Sequence, residues 1–106
     1  MTPEGKIKAR VRALLDACPD IYYEMYVPTG YGKSGLDFSC CVRGHALYIE
    51  TKARGEELRP RQRGAAVKML AAGGTVFCVS DDSGLDALAR WLVNDVFRAI
   101  ERGITQ

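Results

Sequence analysis

The residues of this chain most able to do chemistry lie in its middle: Asp37, which closes Gly35-Leu36-Asp37, and the pair Glu50 and Lys52 in Ile49-Glu50-Thr51-Lys52. Side chains two apart on a strand share a face, so Glu50 and Lys52 point the same way. Whether Asp37 joins them depends on the turn between. In Val42-Arg43-Gly44-His45, Gly44 supplies the positive φ of a tight hairpin, and with Arg43 and Gly44 at its centre Val42 pairs with His45. Counting back along both strands sets Asp37 opposite Glu50. Two carboxylates and an ammonium then converge on one patch. Mg²⁺ and Mn²⁺ prefer such hard oxygen donors and fill the rest of their shell with water and phosphate oxygens. A cation held this way activates water and offsets charge on a phosphoryl group, and a lysine beside it steadies the attacking hydroxide or the developing oxyanion. The chemistry indicated is phosphodiester hydrolysis. By itself, an E-x-K on a strand is often no more than a solvated charge pair, so the surrounding elements must carry the reading further.

Those elements follow from periodicity and punctuation. Thr2 caps a helix with Pro3 in its first position, and Ile7, Val11, Leu14 and Leu15 form a stripe at helical spacing that runs to about Ala17. Pro19 and Asp20 break it, and Ile21 to Val27 alternates as a strand. Residues 28 to 35 form a glycine-rich loop. The hairpin strands are Asp37 to Val42 and His45 to Lys52, and their second face, Phe38, Cys40, Val42, Leu47 and Ile49, is apolar throughout and faces a core. After a charged connection, Pro60 opens a helix through Ala72 that Gly73-Gly74 ends. Thr75 to Ser80 is nearly continuous in apolar residues, which predicts a strand buried on both faces. From Ser83 an amphipathic helix carries Leu85, Leu88, Leu92 and Val96 to about Ile100. The fold class is α/β, in the order αβββαβα. The passage from hairpin through helix to Thr75 is a crossover, so the last strand runs parallel to the one bearing Glu50, giving a mixed central sheet.

Gly35-x-Asp37, Glu50-x-Lys52-Ala53, Pro60-x-Gln62, the glycine-terminated helix and the apolar strand after it together resemble the PD-(D/E)xK nucleases. Within that superfamily they resemble the virus-type replication-repair nuclease domain, VRR-NUC. The resemblance covers roughly residues 4 to 80. It implies a restriction-endonuclease-like core and a Mg²⁺- or Mn²⁺-dependent DNA endonuclease, with branched DNA or four-way junctions as a substrate class. It further implies that Asp37 and Glu50 ligate the metal, that the Thr51 carbonyl adds a backbone oxygen, and that Lys52 orients the nucleophile. Gln62, inward on a stripe with Ala66 and Met69, supports the site through Lys52 or a metal-bound water, or else satisfies free amides at its helix start. A further carboxylate from the first helix is common in such nucleases, which points to Glu4, on the stripe of Ile7, Val11 and Leu14, with Glu24 as the rival. Glu4 also reads as a carboxylate favoured by the helix dipole in a first turn. Arg59 stands before Pro60 where Ser or Thr is commoner, and is taken as a phosphate contact.

Charge distribution adds the partner. The formal net charge is only +2, but residues 52 to 68 carry Lys52, Arg54, Arg59, Arg61, Arg63 and Lys68 against Glu56 and Glu57, and the first helix carries Lys6, Lys8, Arg10 and Arg12. Basic groups flanking an acidic pocket suit a phosphate backbone. Lys33 in the glycine-rich loop could reach a phosphate, and Tyr31 could stack on a base. With 106 residues, 47% of them hydrophobic, the chain fits one domain, residues 1–106. Neither an apolar run of membrane-spanning length nor a signal segment is evident, so a cytoplasmic location, in a bacterium or a phage-infected cell, is expected. Cys18, Cys40, Cys41 and Cys78 lack metal-ligand spacing and are read as buried reduced thiols rather than as part of a site with His45. Trp91 and Phe97 read as core or as a subunit contact, and a homodimer would supply two sites for a junction. The alternatives are a DNA-binding module that keeps the nuclease fold without turnover, and an unrelated α/β interaction domain.

Overall fold

The computed structural model describes residues 1–27 and 35–105, and for 95–105 the helical backbone only. Helix α1 spans Pro3–Ala17, with Pro3 in its first turn and the Thr2 hydroxyl accepting from the Gly5 N–H at 3.0 Å. Strand β1 (Ile21–Met25) pairs antiparallel with β2 (Phe38–Val42), which pairs antiparallel with β3 (His45–Thr51). Arg43 at φ 51° and Gly44 at φ 83° form the turn between β2 and β3, the pair of positive angles that matches strand twist in a two-residue hairpin. Val42 faces His45 and Phe38 faces Ile49, the register expected from the turn.

Helix α2 (Pro60–Ala71) carries the chain back to β4 (Thr75–Val79), which lies parallel to β3 at the edge of a four-stranded sheet ordered β1-β2-β3-β4. Gly73 at φ 92° ends α2. The Asp81 carboxylate then accepts the Gly84 N–H at 2.9 Å and opens α3 (Asp82–Thr105), whose backbone runs five residues beyond the expected Ile100.

The core joins the apolar hairpin face to α1 and α3: Phe38, Val42, Leu47 and Ile49 are fully buried against Val11, Leu15, Leu88 and Val79. Trp91 packs inward, its ring beside those of His45 and Phe77. It therefore packs against the core while staying partly exposed; the Phe97 side chain lies outside the described residues. Two other expectations are corrected. The strand from Thr75 is not buried on both faces: Val79 is fully buried, while Cys78, which points to the face away from the core, is exposed. The strand from Ile21 stops at Met25, since its pairing with β2 ends at Phe38. Among the described residues no helix is long and apolar enough to cross a membrane.

Candidate metal centre

The site forms at the end of the hairpin, where the first turns of α1 and α2 approach it. Asp37 lies in the bend just before β2, tied to β1 by the Tyr26 N–H, which donates to the Asp37 carbonyl at 2.9 Å. Gly35 makes that bend possible: a Cβ there would stand 2.6 Å from the Tyr26 ring, closer than side chains pack.

Each carboxylate oxygen of Asp37 and Glu50 has a defined partner. Asp37 Oδ2 accepts from the Thr51 N–H at 2.9 Å and from the Thr51 hydroxyl at 2.6 Å, while Oδ1 receives the Lys8 ammonium at 3.3 Å. Glu50 Oε1 accepts from the Asp37 N–H at 3.0 Å. Glu50 Oε2 accepts from Gln62 Nε2 at 2.7 Å and lies 3.3 Å from Lys52 Nζ. Glu50 and Lys52 are both buried, 3% and 4% exposed, and a buried charge persists only when paired and hydrogen-bonded. Burial raises the Glu50 pKa above the ordinary carboxylate range and the negative charge of Asp37 raises it further; the Asp37 N–H and Lys52 oppose both.

Glu4 completes the group. Oxygens of Glu4, Asp37 and Glu50 lie within 4.8 Å of one another. Three convergent carboxylate oxygens are hard donors at a spacing one cation could bridge, so the residues present fit Mg²⁺ or Mn²⁺. The rival, Glu24, is exposed and takes a hydrogen bond from the Tyr22 hydroxyl at 2.9 Å on the same strand face, outside this group.

The other sequence-derived candidates divide by position. Gln62 touches Glu50 rather than Lys52, and its Oε1 accepts the Arg59 N–H at 2.9 Å, so it serves both the site and the helix start. Arg54, Arg59 and Arg61 are exposed. Lys33 and Tyr31 lie outside the described residues. The basic residues of α1 do not form one patch, because positions two apart on a helix point to different sides. Lys8 meets Asp37, while Arg10 pairs with Asp82 of α3.

Two contacts of Asp37 are not foreseen in the sequence, where Lys8 figures only in the basic cluster of the first helix. Lys8 follows Glu4 by one helical turn, and that spacing was the available signal. The Thr51 hydroxyl was overlooked because the residue drew notice only for its carbonyl.

The cysteines are unlike one another. Cys40 is buried on the core face, and burial pushes its thiol up to about 12. Cys41 and Cys78 are exposed, contrary to expectation, because both lie on the opposite face of the sheet. Cys78 sits beside Glu50 while His45 bonds Thr75 at 2.9 Å, so Cys40, His45 and Cys78 share no site.

No family model matches the chain, and no curated protein does. A solved structure described as a VRR_NUC domain does match: TM-score 0.71 at 22% identity, covering 85% of this chain and 97% of that one. The protein has the α/β fold of a VRR-NUC domain.

Proposed function

We propose that the chain is a Mg²⁺- or Mn²⁺-dependent endonuclease that hydrolyses phosphodiester bonds in DNA. The observation that carries this reading is the convergence of Glu4, Asp37 and Glu50 beside the buried ammonium of Lys52. Asp37 and Glu50 hold the cation, with Glu4 as third carboxylate and the Thr51 carbonyl as a backbone donor. The bound cation supplies an activated water and offsets charge on the scissile phosphate. Lys52 positions the nucleophile and stabilises the negative charge that develops in the transition state. Gln62 holds Glu50 in place, and Thr51 holds Asp37. Exposed Arg54, Arg59 and Arg61, together with Lys33 and Tyr31, contact the nucleic acid. The similarity to a VRR_NUC structure supports this assignment through the fold.

Labelled linear and branched DNA incubated with Mg²⁺, and in parallel with EDTA, tests the reading. Cleavage that requires the metal and disappears in Asp37→Ala is the expected result. Binding without cleavage would instead identify a DNA-binding module, and no binding would point to an unrelated interaction domain. Cutting both strands of a junction calls for two sites, hence a homodimer. Light scattering that returns the mass of one chain, with equal nicking of linear and branched substrates, would remove that part of the proposal.

A further inference from the structure

We propose that Lys8 is the metal-responsive residue of this site, holding Oδ1 of Asp37 in the metal-free protein and yielding it when a divalent cation binds. The inference rests on the metal-dependent reading above and adds to it a residue that the sequence places only in the basic cluster of the first helix.

The two oxygens of Asp37 are held differently. Oδ2 is fixed by the backbone and hydroxyl of Thr51, at 2.9 and 2.6 Å, both parts of the framework. Oδ1 faces the Lys8 ammonium at 3.3 Å, long for a charge-assisted bond. The Lys8 side chain is 36% exposed, so it can turn into water without leaving a buried charge behind. Lys52 is the contrasting case: its side chain is 5% exposed, and it has no comparable route away from Glu50. Two ammoniums thus serve one cluster, one built in and one removable. Glu4 and Lys8, one turn apart on α1, present a carboxylate and its competitor together.

A divalent cation held by the Asp37 carboxylate and an ammonium on its Oδ1 repel each other, so each weakens the other's hold to the same degree. Titration of the protein with Mn²⁺ in the absence of DNA reads this directly. Lys8→Met should bind Mn²⁺ about 2- to 5-fold more tightly than wild type, the scale of a partly exposed ion pair. Arg10→Met, which removes a positive charge from the same helix but pairs with Asp82, should leave the affinity unchanged.

Melting supplies the second readout. Lys8→Met should melt below wild type without metal, and the gap should close at saturating Mn²⁺, where the wild-type pair is already broken. Lys8→Gln provides the same comparison if Lys8→Met folds poorly. Unchanged or weaker Mn²⁺ binding by both variants, or a melting gap that survives saturation, would overturn the role of Lys8 and leave the metal site standing. A wild-type protein with no saturable Mn²⁺ binding would overturn the metal reading, and this inference with it.

Discussion

Gln62 bridges the start of α2 to strand β3: its Nε2 donates to Glu50 Oε2 at 2.7 Å while its Oε1 accepts the Arg59 N–H at 2.9 Å. One amide thereby fixes a carboxylate and closes the first turn of a helix that has no acidic residue there. Gln62→Leu breaks both bonds. The expected result is a loss of about 1–3 kcal/mol, the range for a buried polar group left unpaired, in urea unfolding, together with slower cleavage at saturating metal. A variant that cleaves at the wild-type rate would show that Glu50 needs no such support.

The buried pair of Glu50 and Lys52 has a distinct signature. Removing one partner leaves the other charge stranded, which costs about 3–5 kcal/mol in comparable pairs. Lys52→Met should therefore lower the melting temperature sharply and reduce turnover by roughly 10²-fold or more. The double variant Glu50→Gln with Lys52→Met removes both charges and should melt above Lys52→Met alone while remaining inactive. Recovery of stability without recovery of cleavage separates the structural cost from the chemical role.

Thr51→Val tests the support under Asp37 with almost no change in volume. The Thr51 N–H would still reach Asp37 Oδ2, but the hydroxyl bond at 2.6 Å would be gone. Hydrogen bonds to charged groups contribute about 1.5–3 kcal/mol. The variant should unfold at lower urea and need more Mg²⁺ for half-maximal cleavage. An unchanged metal requirement would mean that Thr51 serves only the fold.

The hairpin was legible in the sequence because its determinants are local: Gly44 sets the turn, strict alternation sets the faces, and together they bring Asp37 level with Glu50. The partners of Asp37 were not. Asp37 lies in a bend outside the ladder, where alternation no longer dictates direction, so its bonds to Thr51 could not be counted from register. Lys8 reaches it only because α1 packs on the sheet with a particular rotation about its own axis, which a stripe of apolar residues fixes loosely. The exposure of Cys78 was missed for a related reason. A continuous apolar run does not encode which of its faces the core covers, and Cys78 points away from it.

Asp81 gives a pH dependence. Its carboxylate accepts the Gly84 N–H and the Ser83 hydroxyl at the start of α3, and these bonds, the first being the larger, hold its pKa below the ordinary 3.8. A group with a depressed folded-state pKa stabilises the fold above its unfolded value and loses that contribution as the pH falls through the folded one. Asp81→Ala should thus melt below wild type by a constant margin near neutral pH. That margin should shrink once the pH drops below the ordinary carboxylate value. A gap that persists under strongly acidic conditions would assign the effect to helix propensity instead of the cap.

Glu4 and Glu24 were rival third carboxylates, and the geometry favours Glu4, whose oxygen lies within 4.8 Å of those of Asp37 and Glu50. A carboxylate that only answered the dipole of α1 would contribute about 0.3–1 kcal/mol of stability and nothing to chemistry. As a ligand it behaves differently, because three clustered carboxylates repel one another until a cation joins them. Glu4→Gln should therefore leave the metal-free melting temperature equal to or above that of wild type, abolish most of the stabilisation that Mn²⁺ confers, and raise the Mg²⁺ needed for cleavage. Glu24→Gln, which loses a charge on the exposed strand face beside Tyr22, should change none of these. A lower melting temperature for Glu4→Gln with unaltered metal dependence would return Glu4 to the helix dipole and leave the cation with Asp37 and Glu50 as its carboxylates.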